Sequence, residues 1–256
     1  MTAFNEGLSL RRLYERLMPA AKDRRIADLR IGLSYAGVLM DNGAAGLAAV
    51  LPDSPPRGCT VLQGAGTFAG SSASDVLQYL VHGKNALHRA MGVAAANALA
   101  GSPGKPAEDR EATTYFDLKP GENVAMVGLF APLVERIRKT GAKLTVIEKN
   151  PERIDLLSAE DRRRALGECN VAIITATTLL NSTFEETIGL LGAPRIVALM
   201  GPSTPLVPEA FKDTPVTHLG GAVVADCSRV LRIISEGGGT PALRPYLRFV
   251  NLTIGA

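Results

Sequence analysis

From Asn123 onward the chain alternates short apolar runs with amphipathic stretches: NVAMVGLF, LVERIRKTG, AKLTVIE, a helical stretch near 159–166, NVAIITATT, FEETIGLLG, RIVALMG, VTHLGGAVV and DCSRVLRIISEGG. Apolar strands separated by amphipathic helices require crossover connections, and those close only as a parallel sheet with helices on both faces. The expected fold class is therefore α/β, with a Rossmann-like parallel-sheet domain over residues 114–256.

The first hundred residues follow a different grammar. Leu10, Leu13, Tyr14 and Leu17 recur at helical spacing, which predicts an amphipathic helix ending near Pro19. ADLRIGLSYAGVLM and AAGLAAVL are apolar and flank the turn signal Asp41-Asn42-Gly43, so they predict an antiparallel hairpin. SASDVLQYLVHG and NALHRAMGVAAANALAG predict two helices, with Ser72 or Ser74 capping the first and Asn85 and Gly101 bounding the second. The small residues of the second favour close packing. An α+β domain is expected over 1–101, and SPGKPAEDREAT, residues 102–113, is the expected linker.

Composition narrows the function classes. Apolar residues at 46% and charged residues at 21% suit a folded globular chain. The net charge of +3 is too diffuse for a nucleic-acid stripe, and no apolar run approaches the roughly 20 residues of a membrane span. Cys59, Cys169 and Cys227 lie far apart without a CxxC, and the N-terminus does not read as a secretory signal, so a cytoplasmic location is expected. His82, His88 and His218 show no metal-binding spacing, and there is no GxSxG elbow.

The carboxyl ends of parallel strands are where such sheets place ligands. After the first strand, VGLFAPLV offers Gly128 but lacks the further glycines of a dinucleotide fingerprint. Glu148 follows Gly128 by twenty residues, the place of a ribose-binding acid. The third strand leads into TATTLLNSTFEET, with Thr175, Thr177, Thr178 and Asn181 available to line a polar site and Ser182 and Glu185 at capping-box spacing. The fourth leads into MGPSTPLVPE, where prolines hold Ser203 and Thr204 in a stiff loop suited either to a ligand or to a rigid connection. Gly220-Gly221 permits close backbone approach, and Asp226 reads as a helix cap.

VIEKNPE, TATTLLNST, GPSTPL, LGGAVVAD and SEGGG, in that order, resemble the bacterial and archaeal putative heavy-metal chelation family. IGLSYAGVLMD, TFAGSSASDVL and KNALHRAMGVAAANAL extend the resemblance to nearly the whole chain. It implies an enolase-N-terminal-like domain joined to the Rossmann-like one, with the site between them and a role in handling a metal or metal chelate. Where the family often has histidine and proline after the first-strand glycine, Leu129 and Ala131 stand here, and Ser71 replaces a common lysine.

Two functional readings follow. In the first, Glu148, Thr177, Asn181, Ser203, Thr204 and Asp226 bind a metal ion, metal chelate or small anionic metabolite in the interdomain cleft. A thiophilic metal would need Cys227 or His218. In the second, an enzyme holds a nucleoside cofactor, S-adenosylmethionine or NAD, through Glu148. The expected partner is a small molecule or metal ligand, not nucleic acid or membrane, and self-association stays open.

Overall fold

The computed structural model describes residues 7–51, 59–101, 116–152 and 154–254. The expected linker at 102–113 lies outside them. The chain forms a three-stranded antiparallel sheet and a six-stranded, mostly parallel sheet.

Helix α1 (Leu8–Lys22) buries Leu10, Leu13, Leu17 and Ala21. It runs past Pro19 rather than ending there. Pro19 is exposed, so the carbonyl it deprives of a partner faces water, and the helix tolerates it.

Strands β1 (Ile26–Ile31), β2 (Tyr35–Met40) and β3 (Ala45–Ala49) form the small sheet in that order. The stretch expected to be one strand is thus itself a hairpin, turning at Gly32, where Gly32 N–H bonds the Tyr35 carbonyl at 2.8 Å. The Asp41-Asn42-Gly43 turn joins β2 to β3 as its composition requires. Short helices α2 (Ala73–Leu77) and α3 (Tyr79–His82) precede α4 (Ala86–Ala100). Ser72 and Asn85 cap α2 and α4 through their side chains.

Helix α4 explains its own alanine content. Ala90, Ala94, Ala95, Ala96 and Ala98 are all buried, and a Cβ on Gly46 of β3 would lie 2.3 Å from the Ala94 carbonyl oxygen. Backbone meets backbone there, which only small residues allow.

The larger sheet has the order β5-β4-β6-β7-β8-β9. Its strands are β4 (Asn123–Val127), β5 (Lys143–Ile147), β6 (Val171–Thr175), β7 (Ile196–Met200), β8 (His218–Val224) and β9 (Leu247–Thr253). Strands β4 to β8 run parallel, as the alternation predicts, whereas β9 pairs antiparallel with β8. The connecting helices are α5 (Ala131–Lys139), α6 (Ala159–Glu168), α7 (Thr177–Leu180), α8 (Phe184–Gly189), α9 (Cys227–Ser235) and α10 (Thr240–Leu243).

Helix α9 leaves the large sheet to cover the small one. Leu231 and Ile234 crowd Gly37 of β2, while Val230 and Ile234 join Tyr35 and Leu47 in a buried cluster. Alternate residues Ala36, Val38 and Met40 face α1 and α4 instead. Strand β2 is therefore buried on both faces, one by its own helices and one by α9. A second buried cluster runs from Leu10 through Ala98 to Leu219, so the amino-terminal and carboxy-terminal parts share a core. Among the described residues no helix is long and apolar enough to cross a membrane.

Candidate functional site

Strand order locates the place where a ligand fits best. The chain passes from β4 to β5 on one side, then returns across β4 to β6 on the other. In open α/β sheets such a reversal, at the carboxyl ends of the strands, is where ligands are generally placed. The loops in question begin at Gly128 and Thr175.

Gly128 takes φ +83°, and a Cβ on it would lie 2.8 Å from Thr175 Cγ2. Glycine is required there twice over, for conformation and for contact. Glu148, at the end of β5, pins this first loop: its carboxylate accepts from the Leu129 amide at 3.1 Å and from the Lys149 and Asn150 amides at 2.8 and 3.3 Å.

On the other side, Thr175 and Thr177 hydroxyls lie 3.0 Å apart, and both residues are half-buried. Thr178 is buried and donates to the Thr175 carbonyl, closing the turn. The threonine-rich stretch is thus the helical turn α7 rather than an open loop. Asn181 ends it, half-buried, with Oδ1 accepting from Thr183 Oγ1 at 2.7 Å. Ser182 takes φ +59° and does not cap α8; the cap position is Thr183. Glu185, read as half of a capping box, is buried and accepts instead from the amide of Ser9, near the start of α1, at 3.2 Å.

Ser203 and Thr204 are 2% and 1% exposed, which removes them from the surface. Ser203 Oγ accepts from the Ala49 amide of β3 at 2.8 Å, and the Ser203 carbonyl faces Asn97 Nδ2 at 3.5 Å. Gly221 makes room for this loop, since a Cβ there would meet Leu206 and the Thr204 carbonyl at 2.9 Å. The stiff GPSTPL segment is a strut between the two parts of the molecule. Thr204 Oγ1 and Asn97 Oδ1 are buried without a hydrogen-bond partner among the described residues.

Asp226 does not join the group. Gly220 is level with Met200 at the end of β7, and Asp226 lies six residues farther along the chain, about 20 Å if extended. It is exposed and caps α9 through the Arg229 amide at 3.0 Å. Cys227 Sγ approaches the Gly43 carbonyl at 3.4 Å, in the turn that also holds Asp41. His218 begins β8, beside Thr217 Oγ1 at 2.8 Å and edge-on to Phe116, and burial lowers its pKa. The length of β8 separates it from Cys227, so the two do not form a pair for a thiophilic metal.

The contact of the amino-terminal part with α7 is not predicted by the sequence. Helix α4 packs against α7, and Arg89 of α4 donates from Nε to the Leu180 carbonyl at 2.6 Å and from Nη1 to the Gly83 carbonyl at 3.2 Å. Arg89 had been absorbed into an alanine-rich helix; an arginine among small apolar residues was the available signal.

The donor set speaks against a bare heavy-metal ion. Among the described residues no three His, Cys, Asp or Glu side chains come together, and beside the Glu148 carboxylate the ends of β4 and β6 carry hydroxyls and a carboxamide. Soft metals require thiolate or imidazole, which this arrangement does not supply.

Comparison with known proteins bears on the family. An uncharacterised protein of Methanocaldococcus jannaschii, MJ0500, is 26% identical over 225 residues, covering 82% of this chain and 83% of that one. A protein of unknown function from the DUF364 family of Pyrococcus horikoshii has a solved structure that superposes with a TM-score of 0.82 at 23% identity, covering 96% of this chain and all of that one. A second, from Desulfitobacterium hafniense, gives 0.78 at 22% identity, with coverages of 94% and 97%. These likenesses establish the shared fold. Two family profiles, each described as "Putative heavy-metal chelation", match residues 14–100 (DUF4213) and 111–253 (DUF364), and the chain accordingly belongs to this heavy-metal chelation family.

Proposed function

We propose that this protein binds a small anionic ligand, either a metal chelate or an anionic metabolite, at the carboxyl ends of β4 and β6. The observation that supports this reading is the strand reversal between β4 and β6, which sets Thr175, its hydroxyl 3.0 Å from that of Thr177, against Gly128 of the β4 loop. Hydroxyls and amides orient a ligand without a charge of their own, while backbone N–H groups favour an anion. A metal fits this reading as part of a chelate whose own atoms fill its coordination sphere, because the chain's donor set does not suit a bare soft ion. A nucleoside is less suited, since both Glu148 oxygens already accept main-chain amides.

Within the expected set, Thr177 and Asn181 are the direct contacts, with Thr175 added. Glu148, Ser203 and Thr204 act by holding the loops, and Asp226 stands apart. Native mass spectrometry and elemental analysis of the freshly purified chain test the idea. The expected result is a bound anionic molecule, with or without its metal, whose retention falls in Thr177→Val and Asn181→Ala. A chain that retains nothing, and whose melting temperature no anionic chelate or metabolite raises, would refute it.

A further inference from the structure

Arg89 is unusual among the cations of this molecule. It is half-buried, and burial lowers its pKa with no acidic neighbour to oppose the shift. Its two hydrogen bonds go to neutral carbonyls, Leu180 and Gly83, and among the described residues its Nη2 donates to nothing. By contrast, Arg12, Arg30, Arg138, Arg164 and Arg195 each pair with a carboxylate.

The neighbours of Arg89 add positive charge. Lys84 is exposed, has no carboxylate partner among the described residues, and holds its amide against His88 Nδ1 at 3.3 Å. His88 stacks on Tyr79 at 4.6 Å, and its pKa is lowered first by burial and then by the cations Lys84 and Arg89. Across the seam, the Asn181 carboxamide spends its oxygen on Thr183, and among the described residues its Nδ2 has no acceptor. Arg89 thus reaches the residue before Asn181 at the end of α7, Lys84 and Arg89 both act on His88, and among the described residues neither cation pairs with a carboxylate.

A half-buried cation that only caps two neutral carbonyls carries a desolvation cost that a neutral amide would avoid. That cost is offset when an oxyanion completes the guanidinium fork. We propose that Arg89, with Lys84 and the Asn181 carboxamide, forms an oxyanion-binding site at the α4–α7 seam, taking the phosphate or carboxylate group of a small molecule. This inference shares Asn181 with the proposed function but is carried by Arg89 rather than by Thr175 and Thr177, so the Arg89→Gln result can fail without that reading failing.

Isothermal titration of inorganic phosphate and of citrate into the full chain at low salt tests it, the two probes separating a phosphoryl from a carboxylate preference. Wild type should bind at least one, with affinity falling as salt rises. Arg89→Gln, which can still cap a carbonyl, should weaken binding by about tenfold or more, the size expected for a charge-assisted pair. Lys84→Gln, on the surface, should weaken it by about threefold, since Lys84 acts only through a screened field. No binding of either anion by wild type would overturn the proposal, as would wild-type affinity in Arg89→Gln, which would reduce Arg89 to a latch. Should Arg89→Gln fail to fold, Lys84→Gln decides: unchanged affinity there would overturn the proposal and reduced affinity would support it.

Discussion

The hydroxyl of Ser203 accepts the main-chain amide of Ala49 at 2.8 Å, across 154 residues of chain. This bond ties the loop after β7 to the edge strand of the small sheet, so a segment with the composition of a ligand loop works as a brace between the two parts of the molecule. Replacing Ser203 by alanine strands the Ala49 amide, and the cost of an unmade hydrogen bond in a part-buried place is about 1–2 kcal/mol. Urea denaturation should show that loss. A Ser203→Ala variant as stable as wild type would mean that water reaches Ala49 and the brace carries nothing.

Thr204 should respond in the opposite sense. Its hydroxyl is buried at 1% exposure and has no hydrogen-bond partner among the described residues. Thr204→Val keeps the shape and removes a polar group that gains nothing from being inside, so stability should hold or rise by up to about 1 kcal/mol. A marked loss in the same urea experiment would reveal a buried water bonded to Oγ1.

Gly128 and Gly43 offer a matched pair. Both take nearly the same left-handed φ, +83° and +82°, but a Cβ on Gly128 would meet Thr175 at 2.8 Å whereas one on Gly43 meets nothing within 4 Å. Alanine at Gly43 should cost about 1 kcal/mol for the backbone alone. Alanine at Gly128 should cost about 1–3 kcal/mol more, the usual penalty of forcing a side chain into a packed site. Equal melting temperatures for the two variants would show that the Gly128–Thr175 approach relaxes freely.

Glu122 ties the lower end of the sheet together. Both its carboxylate oxygens accept from Arg195 at 2.8 Å, and Arg195 also reaches the Phe116 carbonyl. The Arg195 hydrogen bonds, followed by the Lys119 amide, lower the Glu122 pKa from 4.5 to about 2. Because the folded value is the lower, the stabilisation is complete above pH 4.5 and disappears as pH falls towards about 2. The pair is partly solvated, so the effect should be about 1 kcal/mol or less. Comparing wild type with Glu122→Gln in urea, the gap present at pH 7 should shrink between pH 4.5 and 2. A gap unchanged with pH would dissociate the carboxylate from stability.

What could be read in advance was what lies close in the chain. The Asn85 cap, the Asp41–Gly43 turn and the parallel direction of β4 to β8 are each set by a few consecutive residues or by their periodicity. Errors arose where a polar side chain had a local and a distant partner to choose from. Glu185 stands at capping-box spacing, yet its carboxylate turns to Ser9, 176 residues away. The small sheet shows the same limit. The sequence reading merged β1 and β2 because a strand buried on both faces loses its alternation, and β2 is buried on both faces because α9 returns to cover it.

By itself, then, the amino-acid order determined the amphipathic helix α1, the Asn85 cap of α4, the Asp41–Gly43 turn and the parallel sheet, because those outcomes follow from backbone conformation and from burial repeating every second or fourth residue. Tertiary structure alone decided which hydroxyls face solvent and which are consumed as struts, and it alone brought Arg89 of α4 against the end of α7. The physical reason is that a polar side chain takes whichever partner the folded surfaces bring within 3 Å, and that proximity is written nowhere in the neighbouring residues.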